Sequence, residues 1–100
     1  MRQFTTPEQT SKLIEIGLER PKGLADAEPS SGKWVREAYS IGELISFLPD
    51  DGVSCKRLEF DGFHWFVDWD SFDKIHQTMQ VELVDALFAM IVQLKEEKIL

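Results

Sequence analysis

The chain has 100 residues, a length that holds one domain, and its 43% apolar content places it with globular rather than disordered chains. Its net charge is −7, and residues 50–73 hold seven acidic side chains against Lys56 and Arg57, a balance that argues against direct nucleic-acid binding. MRQFTTPEQT lacks an apolar leader and no window approaches the roughly 18 apolar residues of a membrane span, so neither a signal peptide nor a membrane partner is expected. The single Cys55 suits a reducing compartment, and a cytoplasmic location is the expectation.

Thr6-Pro7-Glu8-Gln9 opens the first predicted helix, over 7–16. Thr6 caps it, proline suits the first helical position, Gln9 completes a capping box, and Gly17 is the stop. Residues 19–33 are rich in Pro, Gly and Ser, with Leu24 as the only large apolar side chain, and read as a long mobile loop. Residues 34–39 read as a strand. Ser40 and Glu43 repeat the capping-box pattern, and Ile41, Leu44, Ile45 and Leu48 place an apolar face on a helix over 41–48 that Pro49 ends.

Asp61-Gly62 lies between two strand-like runs, 53–60 and 63–69, and predicts a hairpin whose two-residue type I′ turn is Asp61-Gly62. That turn sets Phe60 opposite Phe63, Glu59 opposite His64, Arg57 opposite Phe66 and Cys55 opposite Asp68. One face then carries Leu58, Phe60, Phe63, Trp65, Val67 and Trp69 and reads as core. The other carries Cys55, Arg57, Glu59, His64, Phe66, Asp68 and Asp70 and reads as mostly solvated. Beyond it, 71–77 reads as a short helical turn and 79–98 as a long helix. Its apolar positions, from Val81 through Leu94, cover more than one face, so it is either sandwiched within the domain or shared with a second copy.

The stretch FHWFVDWDSFD, 63–73, invites a metal or catalytic reading, and the register argues against both. Asp68 and Asp70 share a face, but His64 lies about 13 Å back along an extended strand, too far to share one ion. Cys55 and His64 sit too many rungs apart for a nucleophile–base pair, and Asp68 opposite Cys55 would hinder a thiolate. Glu59 opposite His64 reads as a surface contact rather than an acid–base pair. No catalytic residue, metal ligand or cofactor site is therefore expected. Asp70 and Asp73 read as acids at a helix start. Two surface features remain. Trp34, Tyr39, Arg57 and Phe66 form a candidate interaction patch. Asp50, Asp51, Glu59, Asp61, Asp68, Asp70 and Asp73 form a candidate acidic patch.

Three stretches, FTTPEQTSKLIEIG at 4–17, YSIGELISFLP at 39–49 and ELVDALFAMIVQLKEE at 82–97, together resemble a group of small uncharacterised proteins of gut Bacteroidetes. That group is found in prophage and mobile-element surroundings. The resemblance implies a shared fold and a phage-related role, and it carries over no catalytic or binding residues.

The resulting expectation is a single α+β domain over 1–100. A small antiparallel sheet of about three strands (34–39, 53–60, 63–69) has helices (7–16, 41–48, 79–98) packed on one face. The functional expectation is a non-enzymatic protein–protein interaction module, self-associating as a homodimer, that serves a phage or mobile element as an accessory protein. Two alternatives stand beside it. One is an acidic inhibitor that presents 50–73 to a basic host protein as a nucleic-acid mimic. The other is a small enzyme using Glu59, His64 or Cys55.

Overall fold

In the computed structural model, which describes residues 2–26, 35–49, 55–71 and 74–100, the first two helices open on the capping boxes present in the sequence. Helix α1 spans Pro7–Glu15 and helix α2 spans Ile41–Phe47. Thr6 Oγ1 accepts the Gln9 amide at 3.1 Å while the Gln9 side chain accepts the Thr6 amide at 3.0 Å. Ser40 and Glu43 do the same at 3.1 and 3.3 Å. Each box satisfies two backbone donors that a helix start leaves unpaired. Gly17, at φ 106°, ends α1 and lets the Leu18 amide reach back to the Leu13 carbonyl.

The α+β architecture stands, with five strands in two antiparallel sheets among the described residues. Strands β1 (Gly23–Asp26) and β2 (Val35–Ala38) form a two-stranded sheet. Strands β3 (Cys55–Phe60), β4 (Trp65–Ser71) and β5 (Lys74–Gln80) form a meander with β4 in the centre. Helix α3 (Leu83–Glu96) closes the chain.

Several expectations change. The strand expected at 34–39 does not join the hairpin sheet. It pairs instead with Gly23–Asp26, inside the region expected to be loop; residues 27–34 lie outside the described residues. The signal for β1 is backbone chemistry rather than apolar content. The Glu43 carboxylate accepts the Lys22 amide at 2.9 Å and the Gly23 amide at 3.0 Å while completing the α2 capping box. A Cβ on Gly23 would stand 2.7 Å from the Ala38 carbonyl oxygen, so only glycine fits where β1 meets β2.

The second change is β5. Residues expected as a helical turn and helix start are a strand, and α3 begins at Leu83 rather than at 79. Asp70 accordingly sits in β4 opposite Ile75 rather than at a helix start, and Asp73 lies outside the described residues. In β5 the pattern is inverted: Ile75 and Met79 face outward and are exposed, while His76 and Thr78 face α3. The inward polar groups are satisfied. Thr78 Oγ1 donates to the Ala86 carbonyl at 2.7 Å, and His76 bonds at both ring nitrogens.

The third change is the hairpin register. The turn is centred on Gly62-Phe63, not Asp61-Gly62, with Gly62 at φ 100° in the first central position. Asp61 holds it, its Oδ1 accepting the Phe63 and His64 amides at 2.8 and 2.7 Å. Every pairing slides by two: Phe60 faces Trp65, Glu59 faces Phe66, Arg57 faces Asp68 and Cys55 faces Asp70. A slip of two keeps each side chain on its predicted face, where a slip of one would have inverted them all.

The core lies between the sheet and the helices. Helix α3 packs on β4 and β5, burying Val67 and Trp69 against Leu87, Met90, Ile91 and Leu94. It also packs on α2, which adds Leu44 and Leu48, so its wide apolar surface is used within the domain. The N-terminal segment is clipped on. Gln3 and Thr5 bond the backbone of Ile41 and Tyr39, while Arg2 pairs with Asp85 and donates to Gln9 at 3.1 Å.

Candidate functional site: an open edge strand

Strand β3, CKRLEF, is exposed at all six positions. It lies at one edge of the meander, and no described strand pairs with its outer side. Helix α3 reaches across β5 and β4 but not β3, so the apolar side chains of β3 overhang the core. Phe60 is 53% exposed and Leu58 is also open to solvent. Phe60 rests on Trp65 across the strand pair, ring centroids 5.0 Å apart. At the turn, Phe63 is 77% exposed, held out by the Asp61 bonds to its own amide and that of His64. The His64 amide and then the Phe63 amide pull the Asp61 carboxyl below its ordinary pKa.

The bonding phase of the edge follows from the turn. The Asp61 amide donates to the His64 carbonyl at 3.2 Å, so Asp61–His64 is a bonded rung. Bonded and non-bonded rungs alternate in antiparallel pairs. Arg57 and Glu59 therefore direct their backbone groups toward β4, while Lys56, Leu58 and Phe60 direct theirs outward, away from the sheet.

The other face of the sheet carries the charge. Arg57 donates to Asp68 Oδ2 from Nη2 at 3.2 Å and lies 3.3 Å from Glu59. The hydrogen bond to Asp68 leads, with the Glu59 charge next, in raising the Arg57 pKa further above its usual range. Asp68 is only 6% exposed, and Gln77 Nε2 donates to its other oxygen, Oδ1, at 2.9 Å. Phe66 lies half-buried between Glu59 on β3 and Met79 on β5. Asp70 has one buried carboxylate oxygen, Oδ1, with no hydrogen-bond partner among the described residues.

The candidate patches separate accordingly. Arg57 and Phe66 share the outer face, as expected. Tyr39 does not join them: it is fully buried, packs edge-on against Phe47 and donates its hydroxyl to the Glu19 carbonyl. Burial first, then the Glu43 charge, raises its pKa. Trp34 lies outside the described residues. Of the acidic set, Asp50, Asp51 and Asp73 also lie outside them. Glu59 and Asp68 are both paired with Arg57, and Asp61 is tied to its own turn.

The catalytic candidates are no closer than the sequence implied. With Cys55 opposite Asp70, His64 lies six residues further along β4, about 20 Å at full extension. Glu59 faces Phe66 rather than His64. The sequence reading missed the one buried histidine, His76, which is 3% exposed. Its Nδ1 lies 3.2 Å from the Trp69 carbonyl and its Nε2 lies 2.8 Å from Glu97. Both ring nitrogens face oxygens inside the fold, and the contact with Glu97 ties the end of α3 to the sheet. Among the described residues no group of three or more His, Cys, Asp or Glu is placed to hold a metal ion, and no helix is long and apolar enough to cross a membrane.

Comparison with protein-family models, with curated proteins and with solved structures returned no match.

Proposed function

We propose that the chain is a non-enzymatic protein–protein interaction module that docks through β3. The observation that carries this reading is an edge strand exposed along its whole length. It presents unpaired backbone groups beside Leu58, Phe60 and the Phe63 tip. An open edge of this kind is the template for strand addition, in which main-chain bonds supply affinity and neighbouring apolar side chains supply selectivity. Aromatic side chains standing in solvent next to such an edge are the usual anchors of an interface. The accessory role in a phage or mobile element rests on the resemblance of the three stretches at 4–17, 39–49 and 82–97. The acidic-mimic alternative draws on the charge of 50–73, but Asp68 is buried and Glu59 and Asp68 share Arg57.

The test is affinity capture from host lysate with the wild-type chain and with Leu58→Pro as baits. Proline at 58 removes an outward amide without touching the ladder to β4. Specific proteins held by the wild type and lost with Leu58→Pro support the reading. An identical set on both baits refutes it. Capture of basic proteins that is lost at moderate salt, yet unaffected by Leu58→Pro, transfers support to the acidic reading.

A further inference from the structure

We propose that the partner of β3 is β3 of a second copy. The two strands run antiparallel about a twofold axis between the two Leu58 residues, making one six-stranded sheet. The inference rests on the docking-edge reading above and names its occupant.

The argument is one of register. Lys56, Leu58 and Phe60 have the outward backbone groups, so only pairings that set these residues against one another form a bonded ladder. Pairings that set an even-numbered residue against an odd-numbered one also turn the second sheet over, opposing Leu58 and Phe60 to the charged face. Three symmetric pairings put a residue near the strand centre on the axis. With Arg57 on the axis, two guanidinium groups oppose each other. With Glu59 there, two carboxylates do. With Leu58 there, Arg57 faces Glu59 of the second copy, and Glu59 faces Arg57 of the second copy. Lys56 then lies across from the Phe60 ring, where its ammonium and alkyl stem suit an aromatic face. The pairing is self-complementary, as a twofold interface must be.

The arrangement also uses groups that the single chain leaves underused. Arg57 already stands between Asp68 and Glu59 on its own sheet and would extend that ladder across the axis. Leu58 and Phe60 overhang the helices on the face that carries α3. In the paired sheet they meet Leu58 and Phe60 of the second copy in the trough between the two α3 helices. The outward edge, an aggregation template in the single chain, becomes an interior ladder.

Sedimentation of the full chain across the micromolar range, together with cysteine cross-linking, tests this. The wild type should show concentration-dependent dimerisation. Glu59→Arg places like charges across both symmetric pairs and should raise the dissociation constant about tenfold. In a Cys55→Ser background, Leu58→Cys should oxidise to a covalent dimer. The two Cα atoms would stand about 5.5 Å apart, within disulfide range. Lys56→Cys should not, because it faces Phe60 rather than its own copy. Unfolding midpoints of each variant separate a lost interface from a lost fold. A wild type that stays monomeric throughout overturns the inference, and if Leu58→Pro still abolishes capture of another protein, the docking-edge reading survives it. A dimer indifferent to Glu59→Arg, or one cross-linked as readily at 56 as at 58, overturns the register.

Discussion

Thr5 is fully buried in this small domain, and its hydroxyl explains how the N-terminal segment holds its place. Thr10 Oγ1 donates to the Thr6 carbonyl at 2.8 Å, which uses its only proton. The Thr5 hydroxyl, 2.7 Å from Thr10 Oγ1, must then be the donor between them, leaving its own oxygen to accept the Tyr39 amide at 3.1 Å. The result is a directional relay from the Tyr39 amide through Thr5 and Thr10 to the first turn of α1, each bond polarising the next. Thr5→Val keeps the shape and removes the relay, leaving a buried amide at Tyr39 unsatisfied. It should lower the stability by about 1–3 kcal/mol in a denaturant titration. An unchanged midpoint with an unchanged slope would mean that water replaces the hydroxyl.

At the scale of elements, the sheet is buried unevenly. Trp69 and Val67 on β4 lie under α3, whereas Phe60 on β3 and Phe63 in the turn lie beyond its reach. Trp69 also donates its indole N–H to the Pro49 carbonyl at 3.0 Å. Trp69→Ala should therefore cost about 3–5 kcal/mol. Phe63→Ser should leave the stability of the isolated chain within about 0.5 kcal/mol. Equal losses at the two positions would place the core at the turn instead. The same unevenness explains what was legible beforehand. Helix starts are local chemistry, so Thr6 with Gln9 and Ser40 with Glu43 locate α1 and α2 directly. The faces of the hairpin follow from side-chain alternation, which survives the slide of the turn onto Gly62-Phe63. Strand β5 has no such signature. Its inward residues are His76 and Thr78, kept there by bonds to Trp69 on β4 and to Ala86 and Glu97 in and at the end of α3, contacts that exist only once these elements pack. Without β5, the exposure of β3 could not be foreseen, because the third strand expected for its sheet, 34–39, pairs with β1 instead. Alternation puts Arg57 and Phe66 on the outer face, whereas Tyr39, beyond the end of β2, is set by its contacts with Phe47 and Glu19.

For the molecule as a whole, the question is what ties the end of α3 back to the sheet it covers. Glu97, the residue that caps α3, accepts from His76 at 2.8 Å and lies 3.5 Å from the Lys74 ammonium, so two residues of β5 hold one carboxylate. Partial burial pushes the Glu97 carboxyl up. The hydrogen bond and charge of His76, with Lys74 behind them, outweigh it and leave the carboxyl below its usual range. A carboxyl whose folded pKa is depressed contributes stability above its unfolded value, about 4.3 for glutamate, and loses it as pH falls through the folded value. Asp61, depressed by the two turn amides, acts in the same direction. Acid should therefore weaken the hairpin turn and the helix–sheet tie together. Glu97→Gln removes the tie at every pH. The stability difference between wild type and Glu97→Gln should be present above about pH 4.3 and should shrink steadily as the pH falls below it, with a parallel trend for Asp61→Asn. The measurement is a set of denaturant titrations from neutral pH into the acid range on all three chains. A difference that stays constant on acidification would mean that Glu97 acts through packing rather than through its charge. The ends of α3 would then be held by the Arg2–Asp85 pair at one end and the backbone bonds of Lys98 and Ile99 at the other.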